Sequence, residues 1–223
     1  MIFIRTFVSW FIRAWSSIVC RIEHQPLTKV PKHGPLILAI NHIGSLEVPL
    51  FAALLQPRKT IALAKIETWN NKLMGGLFDL WEAIPIRRGE VDLEAIRRCL
   101  IVLKAGSMLV VAPEGTRSYN GRLQRGQPGI SLITLRSGSP ILPIVHWGGE
   151  NFGTNLRRFK RTNFHIRVGK PFTLEAKGQK VTREIRQEMA DEIMYQLAAL
   201  MPKEYRGEYQ DCDPPPTKYL GFA

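Results

Sequence analysis

Six short apolar runs, most of them separated by a helix's length of chain, limit this sequence to one kind of architecture. They lie at residues 35–40, 60–65, 83–88, 108–112, 140–145 and 164–168. Each is too short for a core helix and nearly free of polar interruptions, which is how a strand buried on both faces reads. Helical patterns fill the gaps. One runs from Val48 until Pro57 intervenes, and a second covers 72–80. A third follows Asp92 as N-cap, carries Leu93, Ile96, Leu100 and Leu103 on one face, and stops at Ala105-Gly106. Shorter and longer ones cover 129–136 and 182–201, the latter burying Ile185, Met189, Ile193 and Leu197. Strands alternating with helices predict an α/β fold: a single domain with a mixed, mostly parallel central sheet flanked by helices. A chain of 223 residues buries one such core without a second domain. Pro85 places its strand at an edge or its end, and Asp213-Pro214-Pro215-Pro216 predicts a mobile tail.

The first two dozen residues have a different character. Arg5, Thr6, Ser9, Arg13, Ser16 and Ser17 fall on one helical face, and Phe3, Phe7, Trp10, Phe11, Ala14, Trp15 and Ile18 on the other. The arginines lie inside the apolar run rather than before it, and no uncharged stretch reaches a membrane-spanning length of about 18 residues. The pattern predicts an interfacial amphipathic helix, with arginines toward head groups. The alternative is a helix packed on its own domain. The expected division is therefore 1–24 as a membrane-associating helix, 25–203 as the main domain and 204–223 as the tail.

Thirty-one Lys and Arg against 19 Asp and Glu leave a formal charge of +12, which predicts attraction to polyanions. A concentrated block, Arg157, Arg158, Lys160, Arg161, Arg167 and Lys170, contains no acid between Asn151 and Phe172. It suits an anionic lipid surface, the phosphates of a ligand, or a solvated basic loop. No nucleic-acid-binding motif accompanies it, so nucleic acid is not an expected partner. Cys20, Cys99 and Cys212 show no Cys-x-x-Cys or Cys/His spacing, so neither a disulfide framework nor a metal site is expected, and a reducing cytosol fits.

Two motifs carry chemistry. Asn41-His42 ends the first buried run, and Glu47 follows five residues after the histidine. A histidine can take a hydroxyl proton near neutral pH, and a carboxylate on its other ring nitrogen fixes the tautomer and stabilises the imidazolium. No Gly-x-Ser-x-Gly elbow occurs, so a nucleophile supplied by substrate is favoured over a protein serine. Pro113-Glu114-Gly115-Thr116-Arg117-Ser118 follows a second buried run. There Arg117 can clamp a phosphate bidentately, Gly115 allows close backbone approach, and Glu114 is placed to orient Arg117 or a substrate hydroxyl. Alone, each motif also reads as an ordinary loop. Both sit where a strand ends and a helix begins, which is where open α/β sheets bind ligands.

Asn41-His42 with Glu47, then Ile86-Arg87-Arg88, then Pro113 to Ser118, then Ile141-Leu142-Pro143-Ile144 resembles, in order and spacing, the four blocks of the glycerolipid acyltransferase family. The resemblance covers roughly residues 25–210 and is most specific in the first and third blocks. It implies a glycerol-3-phosphate acyltransferase-like fold and transfer of a fatty acyl group to the free sn-2 hydroxyl of 1-acyl-sn-glycerol-3-phosphate. The acyl donor would be a thioester, on coenzyme A or acyl carrier protein, with no metal or other cofactor. By the same resemblance His42 is the general base, Lys65, Arg87, Arg88 and Arg117 bind the acceptor phosphate, and Glu114, with Gly115 and Thr116 in its block, places the glycerol backbone. Pro143 shapes an acyl channel. The implied location is the cytoplasmic face of the cell membrane, peripheral or monotopic. The expected partners are an anionic membrane surface, a lysophospholipid and the thioester donor.

One residue departs from the pattern. The family carries Asp where this chain has Glu47, and the extra methylene moves the carboxylate by about one bond length. If the carboxylate only orients His42, Glu47→Asp should retain or raise activity. Two alternatives follow: an acyltransferase for glycerol 3-phosphate or another lysolipid, and a non-catalytic lipid-binding protein on the same scaffold.

Overall fold

The computed structural model describes residues 2–44, 46–89, 92–211 and 213–222. The chain opens with α1 (Ile2–Val19) and β1 (Cys20–Ile22), then β2 (Leu36–Ile40), α2 (Glu47–Leu54), β3 (Thr60–Lys65) and α3 (Lys72–Leu80). It continues with β4 (Ile84–Ile86), α4 (Leu93–Lys104), β5 (Met108–Val111), α5 (Gly129–Ser137) and β6 (Ile141–Trp147). The last part holds α6 (Phe152–Arg157), β7 (Thr162–Val168), β8 (Phe172–Leu174), α7 (Arg183–Leu200) and β9 (Leu220–Phe222).

The described strands form one sheet in the order β1-β7-β6-β2-β5-β3-β4, with β8 against β6 and β9 against β8. The stretch β6-β2-β5-β3-β4 is parallel throughout; β7 is antiparallel to β6 and parallel to β1, and β8 pairs antiparallel with both β6 and β9. Alternate side chains of the parallel strands feed two cores, which is why their sequences read as unbroken apolar runs. From β2, Ile37 and Ala39 join Cys99 and Leu103 of α4, Ile130 and Ile133 of α5, and Ile193 and Leu197 of α7. Leu36, Leu38 and Ile40 face the other way, onto Leu50 and Phe51 of α2 and Phe164 and Ile166 of β7. β4 with its Pro85 is the edge strand, where a missing N–H donor does no harm.

Asp92 caps α4 by accepting from Ala95 N–H at 3.0 Å, and Gly106 ends the turn beyond it with φ +75. The buried face of α4 is Ala95, Ile96, Cys99 and Leu103, while Leu93 is exposed. At about 100° per residue Leu93 falls to the side of the face formed by Ala95, Ile96, Cys99 and Leu103, so it faces solvent. Cys20 and Cys99 are free and buried; burial pushes the Cys99 thiol up to about 12, and Cys212 lies outside the described residues.

Two expectations change. The residues after the proline run are docked rather than mobile. β9 pairs with β8, Tyr219 is fully buried, its N–H donates to Glu192 Oε2 at 2.9 Å, and its hydroxyl donates to Glu188 Oε2 at 2.9 Å. A proline run cannot form a core, but Tyr219-Leu220-Gly221-Phe222 behind it can extend one. The second change concerns α1. Its small polar side chains, Ser9 and Ser16, are the buried ones, packed toward α2. Arg5 lies 3.8 Å from Glu82. Phe3, Phe7, Trp10, Phe11 and Ile18 face solvent. The face with the smallest side chains gives the closest helix–helix approach, so the aromatic face is the one left uncovered.

Candidate active site

The parallel strands deliver their carboxyl ends to one edge of the sheet, and the two motifs meet there. β2 ends at Ile40, so Asn41 and His42 are the first residues beyond it. β5 ends at Val111, just ahead of the 113–118 turn. Lys65 closes β3 in register with Ile86 of β4, which puts Arg87 and Arg88 at the same edge.

His42 and Glu47 are joined: Nδ1 lies 2.6 Å from Glu47 Oε1. The same oxygen accepts Gly44 N–H at 3.0 Å. Burial pushes the Glu47 carboxyl up, but the hydrogen bond from His42 and the fields of the His146 and His42 rings outweigh it, leaving it at about 2. An ionised carboxylate only accepts hydrogen bonds, so Nδ1 carries the ring proton of the neutral imidazole and Nε2 is left with a free lone pair. Among the described residues Nε2 has no hydrogen-bond partner, and the His42 side chain is 13% exposed. The longer Glu thus reaches the ring because it is the first residue of α2 and its side chain folds back over the 42–44 turn.

Glu114 joins two chain segments. It is 2% exposed. Its Oε1 accepts the His42 backbone N–H at 2.7 Å and its Oε2 the Gln124 N–H at 3.0 Å. Among the described residues neither oxygen pairs with Arg117. Burial pushes its carboxyl up to about 7, despite both N–H donors. Two backbone bonds run alongside, Ser118 N–H to His42 O at 2.8 Å and Tyr119 N–H to Ile43 O at 3.0 Å. The third motif is therefore the frame that holds the first. Gly115 turns that corner with φ +69, and a Cβ there would sit 3.1 Å from Gln127 Cγ.

The cations divide by position. Arg117 lines a cavity of about 370 Å³ together with Ile43, Gly44, Glu47, Tyr119 and His146. That volume falls within the ordinary range for small-molecule sites. The Arg88 guanidinium is held below its ordinary value by burial; Glu67 opposes this, and the neighbouring Arg117 adds to it. Two guanidiniums that feel each other across an exposed edge make a place for an anion. Lys65, Arg87 and Thr116 are exposed at the same edge, outside the cavity lining. Pro143 is buried within β6, opposite Ala39, and does not line the cavity, so the channel role expected of it gains nothing from its placement.

Three further residues belong to the site. Asn41 and His146 clasp the ends of β2 and β6: Asn41 Nδ2 donates to His146 O, His146 N–H to Asn41 Oδ1, and His146 Nε2–H to Asn41 O, each at 2.9 Å. His146 stacks on Phe164 with ring centroids 5.0 Å apart, and burial lowers its pKa. In the sequence His146 directly follows the apolar run 140–145, at a strand end. Glu150, whose Oε1 accepts from Tyr205 at 2.8 Å, lines the cavity wall with Phe152 and Gly153 of α6. That short, glycine-containing helix had no readable periodicity. Among the described residues no group of three or more His, Cys, Asp or Glu side chains is arranged to hold a metal ion.

The architecture and the site can be set beside known proteins. A sequence profile of the Acyltransferase family matches residues 21–147. A 1-acyl-sn-glycerol-3-phosphate acyltransferase of Pseudomonas aeruginosa is 22% identical over 204 residues, 90% of this chain and 77% of that one. A chloroplastic enzyme of the same name from Brassica napus is 26% identical over 151 residues. The match takes in 65% of this chain but only 43% of the Brassica protein, and a match to an Arabidopsis thaliana relative likewise covers 42% of it. The crystal structure of a Thermotoga maritima 1-acyl-sn-glycerophosphate acyltransferase superposes with a TM-score of 0.59 at 18% identity, covering 83% of this chain and 76% of that one. The fold is thus that of the Thermotoga protein. With the profile covering more than half its length, and spanning β1 through β6 and both motifs, the chain belongs to the Acyltransferase family.

Proposed function

We propose that the protein transfers a fatty acyl group from an acyl thioester to the sn-2 hydroxyl of 1-acyl-sn-glycerol-3-phosphate, giving phosphatidic acid, while resting on an anionic membrane surface. The observation that carries this reading is the 2.6 Å bond between His42 Nδ1 and Glu47 Oε1. It leaves Nε2 as a base on the residue next to Ile43, which lines the cavity together with Glu47 and Arg117. His42 Nε2 takes the proton from the acceptor hydroxyl as its oxygen attacks the thioester carbonyl carbon. The tetrahedral intermediate collapses with cleavage of the C–S bond, and the imidazolium returns the proton to the departing thiolate. Glu47 stabilises the imidazolium between the two transfers. Arg88 and Arg117 bind the acceptor phosphate, which relieves the repulsion between them. The names of the Pseudomonas and Brassica relatives support the choice of acceptor.

The non-catalytic reading rested on Glu47 in place of Asp, together with the N-terminal helix. It loses its force because the side chain reaches the ring at full hydrogen-bond strength. The exposed aromatic face of α1 supports membrane contact: Phe3 is 89% and Phe7 66% exposed. No helix among the described residues is long and apolar enough to cross a membrane, which suits a peripheral or monotopic attachment.

The test is a panel of acceptors and thioester donors in detergent micelles, with products identified by mass spectrometry. Phosphatidic acid is the expected product, and His42→Ala should lower kcat by roughly 100- to 10,000-fold at unchanged melting temperature. Normal turnover by that variant rejects His42 as the base, and no acyl transfer to any phosphorylated acceptor rejects the function.

A further inference from the structure

Phe159 is the most exposed large apolar side chain described, at 100%. It is also held with φ +52, a left-handed conformation that L-residues avoid and that helix ends ordinarily give to Gly. The end of α6 enforces it. Phe159 N–H donates to Leu156 O at 3.1 Å and Lys160 N–H reaches back to Asn155 O at 2.9 Å, the double closure of a helix that ends on a left-handed residue. The molecule therefore keeps an aromatic ring in a costly conformation in which the ring packs against nothing. Strain of this kind is retained where the side chain's position matters.

Its surroundings say what the ring meets. Arg157 and Arg158 precede it, Lys160 and Arg161 follow it, and no acid lies between Asn151 and Phe172. Arg161 ties the turn to α1: its Nη2 donates to Ser17 O and Cys20 O, both at 2.6 Å. At the other end of α6, Phe152 packs edge-on against Trp15 of α1 at 5.8 Å. The start of α6 and the turn after it thus both touch the C-terminal half of α1, and Trp10, Phe11 and Ile18 of that helix are exposed. The same α6 supplies Phe152 and Gly153 to the cavity wall.

We infer that the 156–160 turn is a second membrane anchor, in which Phe159 enters the acyl boundary of an anionic bilayer while Arg157, Arg158 and Lys160 pair with lipid phosphates. An aromatic at the acyl boundary flanked by cations at head-group level is the arrangement that interfacial binding uses. Two anchors, α1 and this turn, fix the orientation of the molecule on the bilayer. Because α6 forms the cavity wall, they set that wall, and Arg117 opposite it, against the lipid from which the acceptor is drawn. This inference rests on the proposed membrane reading.

The test uses the full-length protein and vesicles of phosphatidylcholine and phosphatidylglycerol in equal parts. Phe159→Gly relieves the backbone, so it should melt at the same or a higher temperature, yet partition onto vesicles about fivefold less. Phe159→Trp should restore partition. Arg157→Gln and Arg158→Gln should each lower it about fivefold. A reference variant replaces Phe7, Trp10 and Phe11 of α1 with Ser. If that variant loses partition and Phe159→Gly does not, the second anchor is refuted and the α1 reading stands. If neither loses partition, the membrane reading fails with it. A lower melting temperature for Phe159→Gly would assign the ring to packing and overturn the inference. So would loss of affinity for an acidic acyl carrier protein in the arginine variants with vesicle partition unaltered, since the turn would then be a protein-docking surface.

Discussion

Glu47 heads α2, and one of its oxygens serves both the His42 ring at 2.6 Å and the Gly44 N–H at 3.0 Å. Replacing it by Asp withdraws that oxygen by about 1.5 Å, one carbon–carbon bond. Both bonds then break together, because they share the atom. A misplacement near 1 Å at a catalytic contact costs about 100-fold in rate. From sequence alone Glu47→Asp is expected to retain or raise activity if the carboxylate only orients His42; the bond shared with Gly44 favours the other outcome, a longer side chain built into the site. The variant should lose about 100-fold in kcat with little change in KM for the acceptor, read by steady-state kinetics in micelles. Unchanged kcat would mean that the turn between His42 and α2 follows the shorter side chain inward.

Glu114 makes a prediction of a different kind. Its carboxyl ordinarily titrates near 4.5, and burial raises it to about 7 in the folded protein. Folding therefore favours the protonated form. The associated stability is fully present below pH 4.5 and is lost as the pH rises through 7. At 1.36 kcal/mol for each pH unit of difference, the loss amounts to about 3 kcal/mol by pH 8. Glu114→Gln is less stable at every pH, because its amide nitrogen meets a backbone N–H, but it lacks this titration. The stability gap between wild type and variant, taken from urea unfolding, should narrow between pH 5 and pH 8 by roughly that amount. Parallel pH profiles would show that the ionised carboxylate is held in the fold at no cost by its two N–H donors.

At the scale of elements, the sequence was informative wherever burial had one meaning. β2, β3, β5 and β6 are buried on both faces, and a run such as Leu36–Ile40 admits no other reading. Pro85 marked an edge strand for a reason of backbone chemistry that tertiary context does not alter. Strand direction was less legible. Nothing in 164–168 distinguishes parallel from antiparallel, and β7 runs antiparallel to β6 and parallel to β1. The two faces of α1 were identified residue by residue, yet which face packs inward was not, since the answer depends on how closely α2 can approach Ser9 and Ser16. The site shows the same division. His42, Glu47 and Arg117 stand in short motifs and were readable. The function of Glu114 was not, because it depends on a backbone pairing of 42–43 with 118–119 that only the folded chain creates.

For the molecule as a whole, the charge of +12 and the uncovered aromatics are two separate reasons to adhere to a bilayer, and salt distinguishes them. Attraction of exposed cations to anionic lipid is screened within about 8 Å at physiological ionic strength and about 3 Å at 1 M. Transfer of Phe and Trp side chains out of water is not weakened by salt. With roughly 1 kcal/mol for each cation near the surface, loss of even two such contacts lowers partition by about 25-fold. Binding to phosphatidylglycerol-containing vesicles should therefore fall more than tenfold between about 0.1 and 1 M salt and then level off. The residual binding at high salt belongs to the exposed apolar side chains, Phe7, Trp10 and Phe11 with Phe159, so it should fall sharply when the three α1 aromatics are replaced by Ser, while the salt-sensitive part survives in that variant. Co-sedimentation across a salt series for both proteins measures the two parts separately. A wild-type curve that falls to zero at high salt would show that the aromatic face of α1 stays out of the lipid and that charge alone holds the enzyme there.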